Sequence, residues 1–161
     1  AGLIITTIVY WICMAAYTAI SVSVMGVGGV HTSILTEWCY GIYSMTYGQY
    51  YLTILLSGFI ASLLSASIAM LLSAQLHSAT IASCIPFVLF CVSPFLGRAI
   101  PFHTFFNLTP DQLMNVCNSV KNVIVYQMGQ TVFRPIPFVM GFYLILAIVM
   151  LPLTYRVFHR A

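Results

Sequence analysis

Residues 50–74 read YYLTILLSGFIASLLSASIAMLLSA and contain no charged side chain. The uncharged stretch extends outward on both sides, from Trp38 to Gly97, and Ala1 to Thr36 also lack Asp, Glu, Lys and Arg. Only 4% of the chain is charged and 61% is hydrophobic, whereas soluble domains contain about 25% charged residues. A surface that faces water cannot be built from this composition. The sequence therefore predicts an integral membrane protein whose solvent is the lipid bilayer.

The apolar segments predict one transmembrane domain over 1–161, an all-α polytopic transmembrane helix bundle of about four spans. One span needs about 20 mostly apolar residues. Glycines at 26, 28 and 29 end the first segment, and a tight turn at 75–78 separates the second from the third. The chain has no initiator Met and starts within a span, so we expect a C-terminal fragment of a longer polypeptide. The predicted spans are residues 2–25, 50–74, 79–97 and 135–155.

Small side chains recur every four residues along the second span. Side chains at this spacing form a ridge that lets two helix backbones approach closely, which is how helices associate in lipid. The alternative is that Ser and Ala are simply common in membrane helices. We favour a helix-packing face, whose members are Ser57, Ala61, Ser65, Ala69 and Ser73.

Two further features of the spans leave alternatives open. Pro86 lies inside the third span, where it removes a backbone hydrogen bond and is expected to bend the helix; the bend can serve gating, although prolines are ordinary in membrane helices. Hydroxyl side chains of the first span, such as Thr6, Thr7 and Thr18, could line a pathway. They could equally bond back to their own helix.

The connection before the last span predicts a short amphipathic helix at residues 110–122, on the outer surface of the membrane. Thr109 can cap this helix, Pro110 suits its first position, and Gln112 completes a capping box. Asp111 lies in the first turn. One face of the helix carries the apolar residues Leu113, Val116, Cys117, Val120 and Ile124. This pattern is typical of a helix that lies at the membrane interface.

Charges near the last span indicate the orientation. Arg156, His159 and Arg160 follow it, and short basic flanks tend to stay in the cytoplasm. We therefore expect a cytoplasmic C-terminus, which places residues 26–49 and 98–134 outside. Arg98, Lys121 and Arg134 then also lie outside, against the same bias.

No catalytic, cofactor or metal site is predicted. The only acids are Glu37 and Asp111, both in connections, which argues against an intramembrane proton relay. The glycines at 26–29 are not followed by the Lys-Ser/Thr of a phosphate-binding loop. The histidines are isolated from other metal ligands: His31, His77, His103 and His159. A net charge of +3 is also too sparse for nucleic-acid binding.

Two pairings between the outer connections remain open. Glu37 could contact Arg98 or Lys121, or it could remain a solvated interfacial charge. Cys39 and Cys117 could form a disulfide only if their connections share an oxidising side of the membrane.

The order of these features resembles a known family of membrane proteins. A span with a Gly-rich end is followed by an aromatic outer connection, a small-residue span ending Leu71-Leu72-Ser73-Ala74 and a tight turn. A Pro-bearing span then leads to Leu108-Thr109-Pro110-Asp111-Gln112-Leu113 and a last span ending Tyr155-Arg156. Together they resemble the C-terminal half of the permease subunits of type 2 ATP-binding-cassette exporters, particularly those of Gram-positive bacteria.

The resemblance implies a function and a set of partners. Such permeases generally have six spans, dimerise, and dock on ATP-binding subunits at the cytoplasmic face of the cell membrane. The chain would supply the substrate pathway and the moving helices while the partner hydrolyses ATP, so it would not itself be an enzyme. Residues 109–122 would be the family's outer re-entrant or interfacial helix. Two alternatives are a non-transporting membrane anchor for a soluble partner, and an intramembrane enzyme whose catalytic group lies outside this sequence.

Overall fold

The computed structural model describes residues 2–34, 43–76, 78–99, 108–121, 126–128 and 131–160. Helices dominate these residues, which confirms the predicted all-α membrane helix bundle. The elements are α1 Gly2–Met25, α2 Tyr47–Leu76, α3 Ala79–Ala99, α4 Asp111–Met114, α5 Val116–Lys121, β1 Tyr126–Met128, β2 Thr131–Phe133 and α6 Pro135–Arg160.

Within the described residues, three helices are long and apolar enough to cross a membrane. They are Gly2–Val24 in α1, Tyr47–Leu76 in α2 and Pro135–Val157 in α6. The helix α3 contains a shorter apolar stretch, Thr80–Phe95. Its 21 residues are about 31 Å long at 1.5 Å per residue, which is close to the thickness of the hydrocarbon core.

The central helix is α2, which packs against α1, α3 and α6. Thr18 of α1 bonds to Tyr51 near the start of α2, and Gly2 lies against Met70 near its end. The helices α1 and α2 are therefore antiparallel, and the tight turn after Leu76 makes α3 antiparallel to α2 as well. The start of α6 adjoins the segment before α2, so α6 runs parallel to α2. The connections before α2 and before α6 thus lie at the same end of the bundle.

The boundaries of α1 and α2 follow from local chemistry. Helix α1 ends at Met25, as predicted, and Gly26 follows with a φ of 72°, which an L side chain rarely adopts. Helix α2 begins three residues earlier than the predicted span. Its start is a capping box: the amide of Gln49 donates to Thr46 Oγ1, and Gln49 Oε1 accepts from the amide of Thr46.

Helices α3 and α6 end later than the predicted spans. Pro94 lies inside α3, which continues to Ala99, and α6 continues to Arg160. Neighbouring helices let membrane helices tolerate prolines, so Pro94 does not end α3. The basic residues after Tyr155 end the apolar stretch but not the helix, because a helix can continue beyond the hydrocarbon core.

The connection from α1 to α2 folds back on itself. Ser33 and Thr46 form an antiparallel bridge, and the amide of Ile34 donates to the carbonyl of Met45 at 3.0 Å. The side chain of Ile34 is buried. The two described ends of this connection therefore pack against each other.

The connection from α3 to α6 differs from the prediction. The single helix predicted at 110–122 is two short helices, α4 and α5, separated at Asn115, a residue type that competes with helical hydrogen bonds through its side chain. The strands β1 and β2 then form an antiparallel hairpin that was not predicted, with Gln127 opposite Val132.

Candidate functional site

The part of the chain just before the hairpin enters the bundle. Residues 108–121, named here the inserted segment, contact α2, α3 and α6 through α4. Leu113 of α4 is 1% exposed, whereas its neighbour Met114 is 66% exposed. The side chain of Leu113 belongs to the main core cluster, with Ile60, Ala61 and Leu64 of α2, Phe90 of α3, and Val139, Tyr143 and Ala147 of α6.

A hydrogen bond also joins the inserted segment to α6. The hydroxyl of Tyr143 donates a hydrogen bond to the carbonyl of Leu108. Tyr143 is two turns past the start of α6 at Pro135, about 12 Å along the helix axis at 1.5 Å per residue. The apolar face of the segment therefore meets helices of the bundle. The position of the segment relative to the membrane interface stays a prediction.

Two backbone carbonyls of this segment accept hydrogen bonds from amides of the same segment. The amide of Gln112 donates to the carbonyl of Thr109 at 3.1 Å, and the amide of Leu113 donates to that of Pro110 at 3.2 Å. Pro110 itself has no N–H group to satisfy. Non-helical backbone is tolerated inside a membrane protein only where it is buried in protein or lines a cavity, and the turn at 108–110 meets this condition.

A cavity of about 340 Å³ lies beneath the turn at 108–110. Leu64 and Ile68 of α2, Leu89 of α3 and Leu146 of α6 contribute to its walls. None of the described residues that line it is charged. The cavity is therefore suited to an apolar ligand.

A second cluster holds the end of the inserted segment against α6. Tyr43, Val116, Val120 and Ile136 pack together. The amide of Ile136, in the first turn of α6, donates to the hydroxyl of Tyr43 at 3.0 Å, which satisfies one of the free amides of that helix end.

Arg134 lies over the same tyrosine. Its guanidinium carbon is 5.9 Å from the centre of the Tyr43 ring, within the range of a cation–π interaction. Burial raises the pKa of the Tyr43 hydroxyl above its usual range, although the Ile136 amide and Arg134 both act in the opposite direction. The hydroxyl is therefore neutral at neutral pH and can serve as an acceptor for α6.

The structure divides the small-residue ridge predicted on α2. Ser57 and Ala61 are buried, whereas Ser65, Ala69 and Ser73 are half-buried. The buried face of α2 follows another spacing, and its members are Ser57, Ile60, Ala61, Leu64 and Ser67. Whether the ridge drives helix association stays a prediction.

The part of the ridge nearer the C-terminal end of α2 lines an open groove between α1 and α3. The groove measures about 420 Å³ and includes Ser62, Ser65 and Ala69 of α2. The hydroxyls of Ser62 and Ser65 donate to the carbonyls of Phe59 and Ala61 in their own helix. The groove thus presents mainly hydrocarbon despite its serines.

Pro86 also lines this groove and is buried in α3. As a proline it has no N–H to donate to the carbonyl of Ala82. The bend and any gating role remain predictions.

The threonine hydroxyls of α1 bond to their own helix, although that of Thr18 also bonds to Tyr51 of α2. Those of Thr6, Thr7 and Thr18 donate to the carbonyls of Gly2, Leu3 and Met14. Of the two alternatives left open by the sequence, this arrangement favours local bonding over a polar pathway along α1.

In the described part of the chain, no group of three or more His, Cys, Asp or Glu residues could hold a metal ion. Several predicted partners lie outside the described residues, including Glu37, Cys39, His77 and His103. The side chains of Arg98, Asp111, Lys121 and His159 also lie outside them. The contact predicted for Glu37 and the pairing of Cys39 with Cys117 therefore stay predictions.

Sequence reasoning missed the two tyrosines that position the inserted segment and α6. Tyr143 was included only as part of an apolar span, and Tyr43 only as part of the aromatic outer connection. A tyrosine within an apolar helix is itself a signal, because a buried hydroxyl usually finds a hydrogen-bond partner.

Comparisons of the chain with protein-family models, with curated proteins and with solved structures gave no match.

Proposed function

We propose that this chain is the membrane-spanning permease part of an ATP-driven exporter, located in a bacterial cell membrane with its C-terminus in the cytoplasm. Its helices form part of the substrate pathway and move as a partner ATP-binding-cassette subunit binds and hydrolyses ATP. The chain itself supplies no catalytic group.

The observation that carries this proposal is the inserted segment. A polar connection between the third and last helices enters the bundle and packs Leu113 against α2, α3 and α6. The resemblance to exporter permeases implies a re-entrant or interfacial element at this place in the chain. A segment that contacts three helices is also well placed to respond when those helices move.

The shape of the bundle supports a second permease copy as partner. Helix α1 packs mainly against α2, which leaves an open groove between α1 and α3. Small side chains line this groove, and such surfaces favour close contact between helices in lipid. The partner ATPase would dock at the opposite end from the inserted segment, where α2 turns into α3 and α6 ends.

The test is purification of the native protein that contains this chain, in mild detergent and again in native-membrane particles. The proposal predicts a co-purifying ATP-binding subunit whose ATPase activity is inhibited by vanadate. A Leu113→Asp variant, which places a charge in the packed core, should lose both the partner and the activity because the bundle no longer folds. A clean preparation without ATPase activity in both media would contradict the proposal.

One observation favours a second candidate, a non-transporting anchor that holds a soluble partner at the bilayer. The hydroxyls of Thr6 and Thr7 donate to carbonyls of their own helix, as expected for a helix that only spans the membrane. The anchor hypothesis predicts that replacing Thr6 and Thr7 by Val leaves function intact. Loss of function on these replacements, with normal folding, would favour a pathway along α1.

A further inference from the structure

The cavity beneath the inserted segment runs from the core of the bundle to its surface. Its inner wall includes Leu64 and Tyr143, which are 1% and 5% exposed, and its mouth includes Leu89 and Phe142, which are both 43% exposed. Helices α3 and α6 each approach α2 but make little contact with each other. The cavity therefore opens sideways, between α3 and α6.

The mouth of the cavity lies at the depth of lipid hydrocarbon. Leu89 is close to the midpoint of Thr80–Phe95, the apolar stretch of α3. The middle of an apolar segment that crosses a bilayer lies in its hydrocarbon core. Molecules that enter through this mouth therefore come from among the acyl chains, and neither water nor lipid headgroups reach it directly.

The polar atoms at the roof of the cavity already have partners. The carbonyl of Leu108 accepts from Tyr143, and the carbonyls of Thr109 and Pro110 accept from the amides of Gln112 and Leu113. A polar ligand would give up its hydrogen bonds to water and gain few in return. A hydrocarbon chain gives up none.

We propose that the cavity binds one acyl chain of a membrane lipid, which enters between α3 and α6 and ends against the turn at 108–110. The acyl chain fills the space beneath the inserted segment and contacts α2, α3 and α6, which line the cavity. This site is independent of the proposed exporter function, because an anchor with the same fold would hold the same lipid.

The test uses a phospholipid with a photoactivatable diazirine near the end of one acyl chain. The native protein is reconstituted in vesicles of phosphatidylethanolamine and phosphatidylglycerol that contain this probe. It is then extracted into detergent, which dilutes the bulk lipid, and irradiated. The expected adducts, located by peptide mass spectrometry, lie at residues 108–110 and at Leu146.

Two variants make the test specific. Leu146→Trp fills part of the cavity and displaces a few methylene groups of the bound chain, so adducts at 108–110 should fall by about tenfold or more. Ile145→Trp is the matched control, because Ile145 is exposed on the same helix and does not line the cavity. It should leave the adducts unchanged.

Leu89→Trp narrows the mouth of the cavity from the side of α3 and should also reduce the adducts at 108–110. It replaces Leu146→Trp in the test if that variant does not fold. Adducts confined to outward-facing residues such as Ile145 and Ile148 would overturn the proposal. So would equal labelling of the Leu146→Trp and Ile145→Trp proteins, or adducts that join two protein chains at the mouth.

Discussion

Helices α1 and α6 look alike in the sequence but pack differently in the structure. Both contain apolar stretches of 23 residues, which are long enough to cross a membrane. No residue in the most apolar part of α1 is buried, whereas α6 buries Val139, Tyr143 and Ala147 in the core. Lipid tails are as apolar as the side chains inside a helix bundle. The hydropathy of a helix therefore indicates that it spans the membrane, but not whether it packs against lipid or against other helices.

The difference lies in what contacts each helix. Helix α1 packs mainly against α2, through contacts such as the hydrogen bond from Tyr10 to the carbonyl of Leu55 at 2.6 Å. Helix α6 shares a core with α2, α3 and the inserted segment. Stability should therefore be concentrated around the inserted segment, and α1 should be the most readily detached helix.

The largest expected effect is at the centre of the core. Leu113→Ala removes a fully buried side chain and should lower the free energy of unfolding by about 2–5 kcal/mol. Met114→Ala, at the exposed neighbouring position, should change it by about 0.5 kcal/mol or less. Denaturant titration in mixed micelles measures both. Equal effects would place Leu113 on the surface.

The next largest effect separates the two halves of the small-residue ridge. Ala61→Leu forces a larger side chain into the packed core and should cost about 1–3 kcal/mol. Ser65→Leu extends into the open groove between α1 and α3, so it should cost less within one subunit. It should instead weaken assembly with a second copy. A Ser65→Leu protein that assembles normally would exclude the groove as a contact surface between subunits.

Tyr143→Phe tests the attachment of the inserted segment to α6. It leaves the carbonyl of Leu108 without its donor and should cost about 1–2 kcal/mol. Tyr17→Phe, at an exposed position of α1, is the matched control and should be nearly neutral. Thermal unfolding followed by circular dichroism compares them. A neutral Tyr143→Phe variant would indicate that the hydroxyl does not hold the segment.

The smallest effect is expected at α1. Tyr10→Phe removes the hydrogen bond to α2 and should cost about 0.6 kcal/mol, the average for such bonds between membrane helices. The loss should appear as local detachment of α1, measured as faster hydrogen exchange in residues 2–25 with little change in α6. Equal acceleration in both helices would show that α1 belongs to the same cooperative unit.

Much of the fold could be predicted from the sequence, because lipid imposes simple rules on helix length and composition. The bounds of α1 follow from an uninterrupted apolar run ended by Gly26. The start of α2 was also available in Thr46 and Gln49, whose spacing forms a capping box. The hairpin had a weaker signal, the pair Gly129-Gln130 between two short stretches of strand-forming residues.

The position of the inserted segment could not be derived from its pattern. The apolar face of Leu113, Val116 and Val120 was recognised, and these residues are buried. An amphipathic helix presents the same face to lipid and to a helix bundle, however, so the pattern cannot distinguish an interfacial helix from an inserted one. The distinction depends on distant contacts, such as that of Tyr143 with Leu108, which no local sequence pattern encodes.

The central claim is that residues 108–113 pack among α2, α3 and α6 and are shielded from water. The most direct measurement places a nitroxide spin label at Thr109→Cys, in a protein whose native cysteines are replaced, and compares its collisions with a water-soluble nickel complex and with oxygen in lipid vesicles. A label at Val27→Cys, in the exposed turn after α1, provides the reference. The account predicts that position 109 is shielded from nickel while position 27 is accessible. Equal accessibility at the two positions would place the segment at the interface and contradict the account.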